Sequence, residues 1–331
     1  MTDLRYDVVA IGNAIVDVMA PCDDALIEEL GLAKGGMTLI DTARAEELYA
    51  AMGRATEISG GSAANTLAGM AMLGAQCAFV GQVAKDQLGD IFAHDIRAVG
   101  IDFDTAPRDA EPPTARCLIF VTPDGERTMN TFLGASQFLP PAALDEDLIA
   151  SASVLYLEGY LWDPEEPRSA MRRAMDVARD AGRKVAFTAS ESFVIDRHGD
   201  DFRALIDEGK IDILFVNEGE LATLTGEASF EDGLAALKDK VPTLVATRGP
   251  QGAVAIQRGE RAEVAAEPVE AVVDTTGAGD LFAAGFLAGH TRGEDLETSL
   301  RMGAICAAEI ISHIGARSEQ DLKALVARKL D

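Results

Sequence analysis

The run Asp274-Thr275-Thr276-Gly277-Ala278-Gly279-Asp280 gathers in one short stretch the groups that phosphoryl transfer requires. Its two glycines can turn the backbone so that bare N–H groups face a ligand. The apolar residues that follow, from Leu281 to Gly289, read as a buried helix whose positive end favours an anion. Asp280, in the first turn of that helix, stands where a general base beside an anion site would stand. An alcohol has a high pKa, so such a carboxylate orients the hydroxyl and takes its proton only as the bond to phosphorus forms. A plain helix start would use the same residues, with Thr276 as cap and Asp280 against the helix dipole.

Other polar residues follow strand-like runs. Gly60-Gly61-Ser62-Ala63-Ala64-Asn65 is a glycine turn leading into a helix, and the amide fork of Asn65 suits a vicinal diol as well as it suits local bonds. Asn13 and Asp17 come just after Tyr6 to Ile11, a buried strand, and ligands of open α/β sheets sit beyond strand ends. Asn13 could equally close a turn and Asp17 be solvated. Asn217 and Glu220 have the spacing of a capping box, and also the hard oxygen atoms that hydrated Mg²⁺ and phosphate accept. Thr247-Arg248-Gly249 ends another strand-like run, as a phosphate contact or a turn. No Walker-type phosphate loop, dinucleotide fingerprint or serine nucleophile elbow is present.

These residues need a scaffold. The short runs at 6–11, 77–80, 154–157, 185–187, 213–216 and 243–246 are almost continuously apolar and alternate with helical stretches such as 166–181, 230–240, 296–311 and 319–329. This is the pattern of a parallel sheet covered on both faces. Ala271-Val272-Val273 reads as a further strand. Thr114 to Val121 and Arg127 to Leu133 break the rule as a hairpin around the turn Thr122-Pro123-Asp124-Gly125, and Gly36 to Ile40 fits the same small sheet. From pattern alone, that hairpin is either an edge extension or a cover that keeps water from a phosphoryl donor.

The chain has 331 residues with 48% hydrophobic and 25% charged, an ordinary globular composition for one large unit. A net charge of −26 argues against nucleic-acid or anionic-membrane partners, although a local nest of N–H groups can still bind phosphate. Cys22, Cys77, Cys117 and Cys306 are scattered, as are the histidines, which speaks for reduced thiols and against structural zinc. With no signal-like or membrane-spanning run, a cytoplasmic protein is expected.

In their order along nearly the whole chain, these motifs resemble the ribokinase-like (PfkB) family of carbohydrate and nucleoside kinases. The run ending in Asp280 is the most specific of them, and the spacing of Asn13 and Asp17 looks closest to the adenosine kinase branch. The resemblance implies a three-layer α/β/α fold with a mostly parallel central sheet and a small inserted β-sheet lid. Residues 1–331 would be one kinase unit, the lid built from insertions at about 14–20, 34–41 and 101–133. It implies Asp280 as base and Gly277, Ala278 and Gly279 as anion hole. Asn13, Asp17, Gly60, Gly61 and Asn65 would bind the acceptor. ATP and water-bound Mg²⁺ would lie near Asn217, Glu220, Thr247 and Gly249, without direct metal ligands, and some members also use K⁺. Met37, Arg127 and Phe132 would be lid contacts, with Phe132, Leu133, Phe138 and Trp162 offering apolar surface to a purine. Adenosine is the acceptor this likeness favours, ahead of ribose, fructose or 2-keto-3-deoxygluconate. A monomer or homodimer fits, and a non-catalytic binding protein would have no use for Asp280.

Overall fold

The computed structural model describes residues 3–330, which form two sheets. The strands in chain order are β1 (Tyr6–Ile11), β2 (Ile15–Pro21), β3 (Met37–Leu39), β4 (Thr56–Gly60), β5 (Cys77–Val80), β6 (Ile101–Asp102) and β7 (Ala115–Val121). They continue with β8 (Arg127–Phe132), β9 (Ala152–Glu158), β10 (Lys184–Thr188), β11 (Ile213–Asn217), β12 (Thr243–Thr247), β13 (Ala253–Gln257) and β14 (Glu260–Val264). Among the described residues the larger sheet has nine strands in the order β14-β13-β12-β11-β10-β9-β1-β5-β6. It is parallel from β6 to β12, and β13 and β14 complete it as antiparallel strands.

Both faces of this sheet are buried, which is why its strands are apolar at successive positions. Val8 and Ala10 of β1 enter one core with the helices Ser62–Met72, Ala278–Arg292 and Leu296–Ile310, while Val9 and Ile11 enter another with Glu165–Asp180 and Ser192–Asp207. The result is a three-layer α/β/α fold with a smaller inserted sheet.

That smaller sheet runs β3-β8-β7-β2-β4. The hairpin forms as read, with the Gly125 N–H donating to the Thr122 carbonyl at 2.9 Å. Two boundaries differ from the expectation. β4, at 56–60, belongs to this sheet through antiparallel pairing with β2, and residues 101–102 pair with β5 in the large sheet. Thr56-Glu57-Ile58-Ser59 is hard to read as a strand because one of its faces, Glu57 and Ser59, is polar. The register sorts the sheet into two faces. Val16, Val18, Leu118 and Phe120 join a core with Ile27 and Leu48 of the neighbouring helices. Ile15, Asp17, Met19, Cys117 and Ile119, with Met129 and Arg127 alongside, lie on the other.

Three further readings need correction. Ala271-Val272-Val273 is not a strand: no strand lies beside it, Val272 and Val273 are 58% and 49% exposed, and the Val273 N–H donates to the Ile311 carbonyl. Trp162 is core. It packs edge-on against Phe187 and Phe202 and donates to Asp201, so it offers no face to a ligand. Phe132 pairs across from Arg116, one register step from Asp17 and Cys117, and therefore sits on the face turned away from Asp17.

The helix Ala278–Arg292 is buried continuously from Leu281 to Gly289 and lies against both Ser62–Met72 and Leu296–Ile310. Gly285 permits the second contact, because a Cβ there would overlap the Met302 carbonyl. Backbone cannot yield as a flexible side chain can. Gly285→Val is expected to cost at least about 2 kcal/mol, read as a lower denaturant midpoint at unchanged slope.

Candidate active site

The C-terminal ends of β1, β9, β11 and β12 face the same edge of the sheet, and three chain segments meet there. At the first, β1 ends in Gly12-Asn13 beside Glu158, the last residue of β9. Glu158 is 0% exposed and accepts from the Asn13 N–H (2.7 Å), Asn13 Nδ2 (2.6 Å) and the Ala63 N–H (2.8 Å). Burial pushes its pKa up to about 7 against the pull of these donors. Asn13 Oδ1 takes the Ser136 hydroxyl at 2.8 Å, so both ends of its amide are engaged. Asn13 is therefore a strut for the turn.

The second segment is the glycine turn. Gly60 lies under Asp17, with room for no Cβ: one there would come within 2.5 Å of Asp17 Oδ2. Gly61 takes φ 99° and passes so close to Asn13 that a side chain would strike its carbonyl. Gly61 then caps the helix Ser62–Met72, which begins earlier than its apolar pattern suggests. The Asp17 carboxylate accepts no hydrogen bond within the described chain, and burial raises its pKa to about 6, with Arg127 and Arg317 opposing and Asp280 reinforcing the rise.

The third segment carries the opening motif. Gly277, at φ 78°, is the N-cap of the helix Ala278–Arg292 in place of Thr276, whose N–H and hydroxyl both donate to Asp274 Oδ1 at 2.9 and 2.7 Å. The Ala278 N–H donates to the Thr275 carbonyl, so it is only partly available. Among the described residues, the Gly277 and Gly279 N–H groups have no acceptor in the chain. Asp280 Oδ1 accepts from the Ser62 hydroxyl at 2.6 Å and Oδ2 from Asn65 Nδ2 at 3.2 Å. The carboxylate is thus aimed by the start of the neighbouring helix, and Asn65 Oδ1 is left buried without a partner. Burial raises the pKa of Asp280, while Ser62, Asn65 and Arg317 pull it down.

Arg317 is a member of this site that the sequence did not disclose. Its guanidinium donates to the Ser59 carbonyl (2.5 Å), Ser59 Oγ (2.9 Å) and the Ala64 carbonyl (3.2 Å), and its charge bears on Asp17, Asp280 and Asp95. One half-buried cation therefore offsets several carboxylates and holds β4 to the helix that follows the glycine turn.

Other expected residues lie further from Asp280. Asn217 and Thr247 are register partners at the ends of β11 and β12. Asn217 and Glu220 form a complete capping box: the Asn217 N–H and Nδ2 donate to Glu220 at 3.0 and 2.5 Å, and Asn217 Oδ1 accepts the Glu220 N–H at 2.8 Å. Burial pushes Glu220 up to about 7. Gly249, at φ 54°, opens the turn after β12. Arg127 is buried on the small sheet and paired with Asp274, whose Oδ2 also takes the Gly315 N–H at 2.9 Å, so it is not a free charge reaching outward. Met37 is 46% exposed on the edge strand β3. Beside the motif, a groove of about 400 Å³ is lined by Val269, Ala271, Val273, Ile305 and Ala308 together with polar residues. Among the described residues no group of three acidic, histidine or cysteine side chains could cage a metal, and no helix is long and apolar enough to cross a membrane.

Residues 25–322 match the model for pfkB family carbohydrate kinases. A fructokinase from Klebsiella pneumoniae is 33% identical over 246 residues, covering 72% of this chain and 78% of its own. An adenosine kinase from Sinorhizobium meliloti is 48% identical with a TM-score of 0.89, over 98% of this chain and 99% of its own. A probable sugar kinase protein from Rhizobium etli is 45% identical with a TM-score of 0.90 and the same coverage.

The Ser62–Asp280 bond has a measurable consequence. Ser62→Ala removes a donor to the ionised carboxylate, so its proton affinity should rise. A carbon-detected NMR titration of the Asp280 carboxyl is expected to show a midpoint about one pH unit higher than in the wild type.

Proposed function

The chain belongs to the pfkB family of carbohydrate kinases, and from that premise we propose that it moves the γ-phosphoryl group of ATP to the primary hydroxyl of a sugar, with fructose the first candidate. That it is an ATP-dependent kinase acting on an alcohol is the family's chemistry; the acceptor and the roles of the residues are the proposal. The observation that carries it is the Asp280 carboxylate, held by Ser62 and Asn65 directly beside the unpaired N–H groups of the Gly277 turn.

In this reading Asp280 orients the acceptor hydroxyl. The acceptor oxygen forms its bond to the γ-phosphorus as the bond from that phosphorus to the β,γ-bridging oxygen breaks. The hydroxyl proton passes to Asp280 and ADP leaves. The Gly277 and Gly279 N–H groups and the helix end face the negative charge that spreads over the transferred oxygens. Asp17 and Asn65 Oδ1, neither with a partner of its own, accept other hydroxyls of the acceptor. The groove at Val269 and Val273, which Glu267, Glu270 and Glu309 also line, offers its apolar side to the adenine of ATP. Asn217 and Glu220 use their closest contacts on one another, so Mg²⁺ fits here only through its waters and the ATP phosphates. When bound, Mg²⁺ neutralises phosphate charge.

Sequence motifs alone favour adenosine, and the fructokinase likeness moves a free sugar ahead of it. One feature keeps the nucleoside as a second reading. Around Asp17, the same face of the small sheet is apolar, with Ile15, Met19, Cys117, Ile119 and Met129. A free sugar offers this surface little, whereas a purine would pack on it.

A coupled assay of fructose, ribose, 2-keto-3-deoxygluconate and adenosine, each with ATP and Mg²⁺, separates the two readings. Fructose or another free sugar should give the highest kcat/KM, and a hundredfold preference for adenosine would reverse the order. Separately, Asp280→Asn should lower kcat on the best acceptor by a factor of at least about 10² with the fold intact by circular dichroism. Turnover near the wild-type rate would remove Asp280 from its role as base.

A further inference from the structure

A second groove, of about 570 Å³, opens at the opposite end of the large sheet. It lies where β10, β11 and β12 begin, whereas Asn217 and Thr247 lie where β11 and β12 end. Strands of five residues place the two ends about 17 Å apart, so this groove is separate from the crevice around Asp280.

Its charged lining is Lys184, Lys238, Lys240 and Arg258 against Asp212 and Asp239. In a chain of net charge −26, that excess of cations is unusual. Lys240 is spent on Asp207 at 2.8 Å, and Asp212 Oδ2 accepts the Val185 N–H at 2.8 Å. Among the described residues, Lys184, Lys238 and Arg258 form no ion pair, although most cations of the chain do.

Lys184, Lys238 and Arg258 are all exposed, and two further features bear on them. Arg258 occupies the left-handed region, φ 51°, in the Arg258-Gly259 loop of the β13–β14 hairpin. Such loops favour asparagine, aspartate or glycine, so an arginine is kept there at a conformational cost. Lys184 Nζ donates at 2.8 Å to His290 Nε2. Burial, then the charge of Lys184, hold the imidazole neutral with a pKa of about 4, and it stacks on Phe286. His290 lies in the last turn of the helix whose first turn carries Asp280, about 15 Å away along its axis.

We propose that this groove is a second anion site, taking a small phosphate-bearing molecule through Lys184, Lys238 and Arg258. Its ligand would pair with cations that form no ion pair among the described residues. Binding of this kind weakens as salt rises.

Amide NMR with inorganic phosphate as the probe resolves the site directly. Saturable shifts are expected at Lys184, Lys238 and Gly259, and Lys238→Glu with Arg258→Glu should weaken them at least tenfold while basal kinase turnover stays at the wild-type value. If charge reversal prevents folding, the Gln pair provides the same comparison with a smaller loss. Absence of saturable shifts at these residues, or shifts of equal affinity in the variant, would overturn the proposal.

Discussion

Everything at the crevice hangs on one buried carboxylate that contacts no acceptor. Glu158 ends a central strand with no exposure to solvent, and an ion there is tolerable only if donors surround it. The donors it draws in are the Asn13 backbone, the Asn13 amide and the Ala63 backbone. Those three bonds set the path of the chain from β1 into β2, and they fix the start of the helix at Ser62. Gly12 is needed because a Cβ there would lie 2.6 Å from Glu158 Oε2. The position of Asn65 and Ser62, and through them the aim of Asp280, follows from this arrangement.

Charge economy explains the rest of the site. Asp17, Glu158 and Asp280 are crowded in a low-dielectric space, and burial raises the proton affinity of each. Arg317 and Arg127 oppose the rise at Asp17. The chain's overall acidity does not reach inward as simple repulsion, because Glu158 and Asp280 have donors within hydrogen-bond distance and the charges of Arg127 and Arg317 oppose the rise at Asp17.

Much of this was legible in the residues. Near-continuous apolar runs gave away the parallel strands, since both faces of that sheet are covered, and the Thr122-Pro123-Asp124-Gly125 turn located the hairpin. The motif ending in Asp280 gave away the helix start and the glycine turn. Illegible were the contacts made across long separations. Nothing near Glu158 or Arg317 in sequence signals a partner at Ala63 or Ser59. Asn13 suits a ligand by its chemistry, and nothing in the sequence shows that its amide also bonds Glu158 and Ser136. Val272 and Val273 looked like a strand because β-branched residues favour one, but a strand needs a neighbour to pair with. β4 escaped notice because an edge with one polar face has no strong period.

Asp274 has one oxygen on the turn that carries Gly277 and the other on Arg127 of the inserted sheet. A single side chain is therefore shared by two parts of the molecule. Their arrangements are linked in the thermodynamic sense: any ligand that favours one seating of the small sheet over another must shift the turn's preference by the same free energy, and a ligand of the turn must act back on the sheet equally. The conformation of the Gly277 turn and the posture of the small sheet are in this way two faces of one equilibrium.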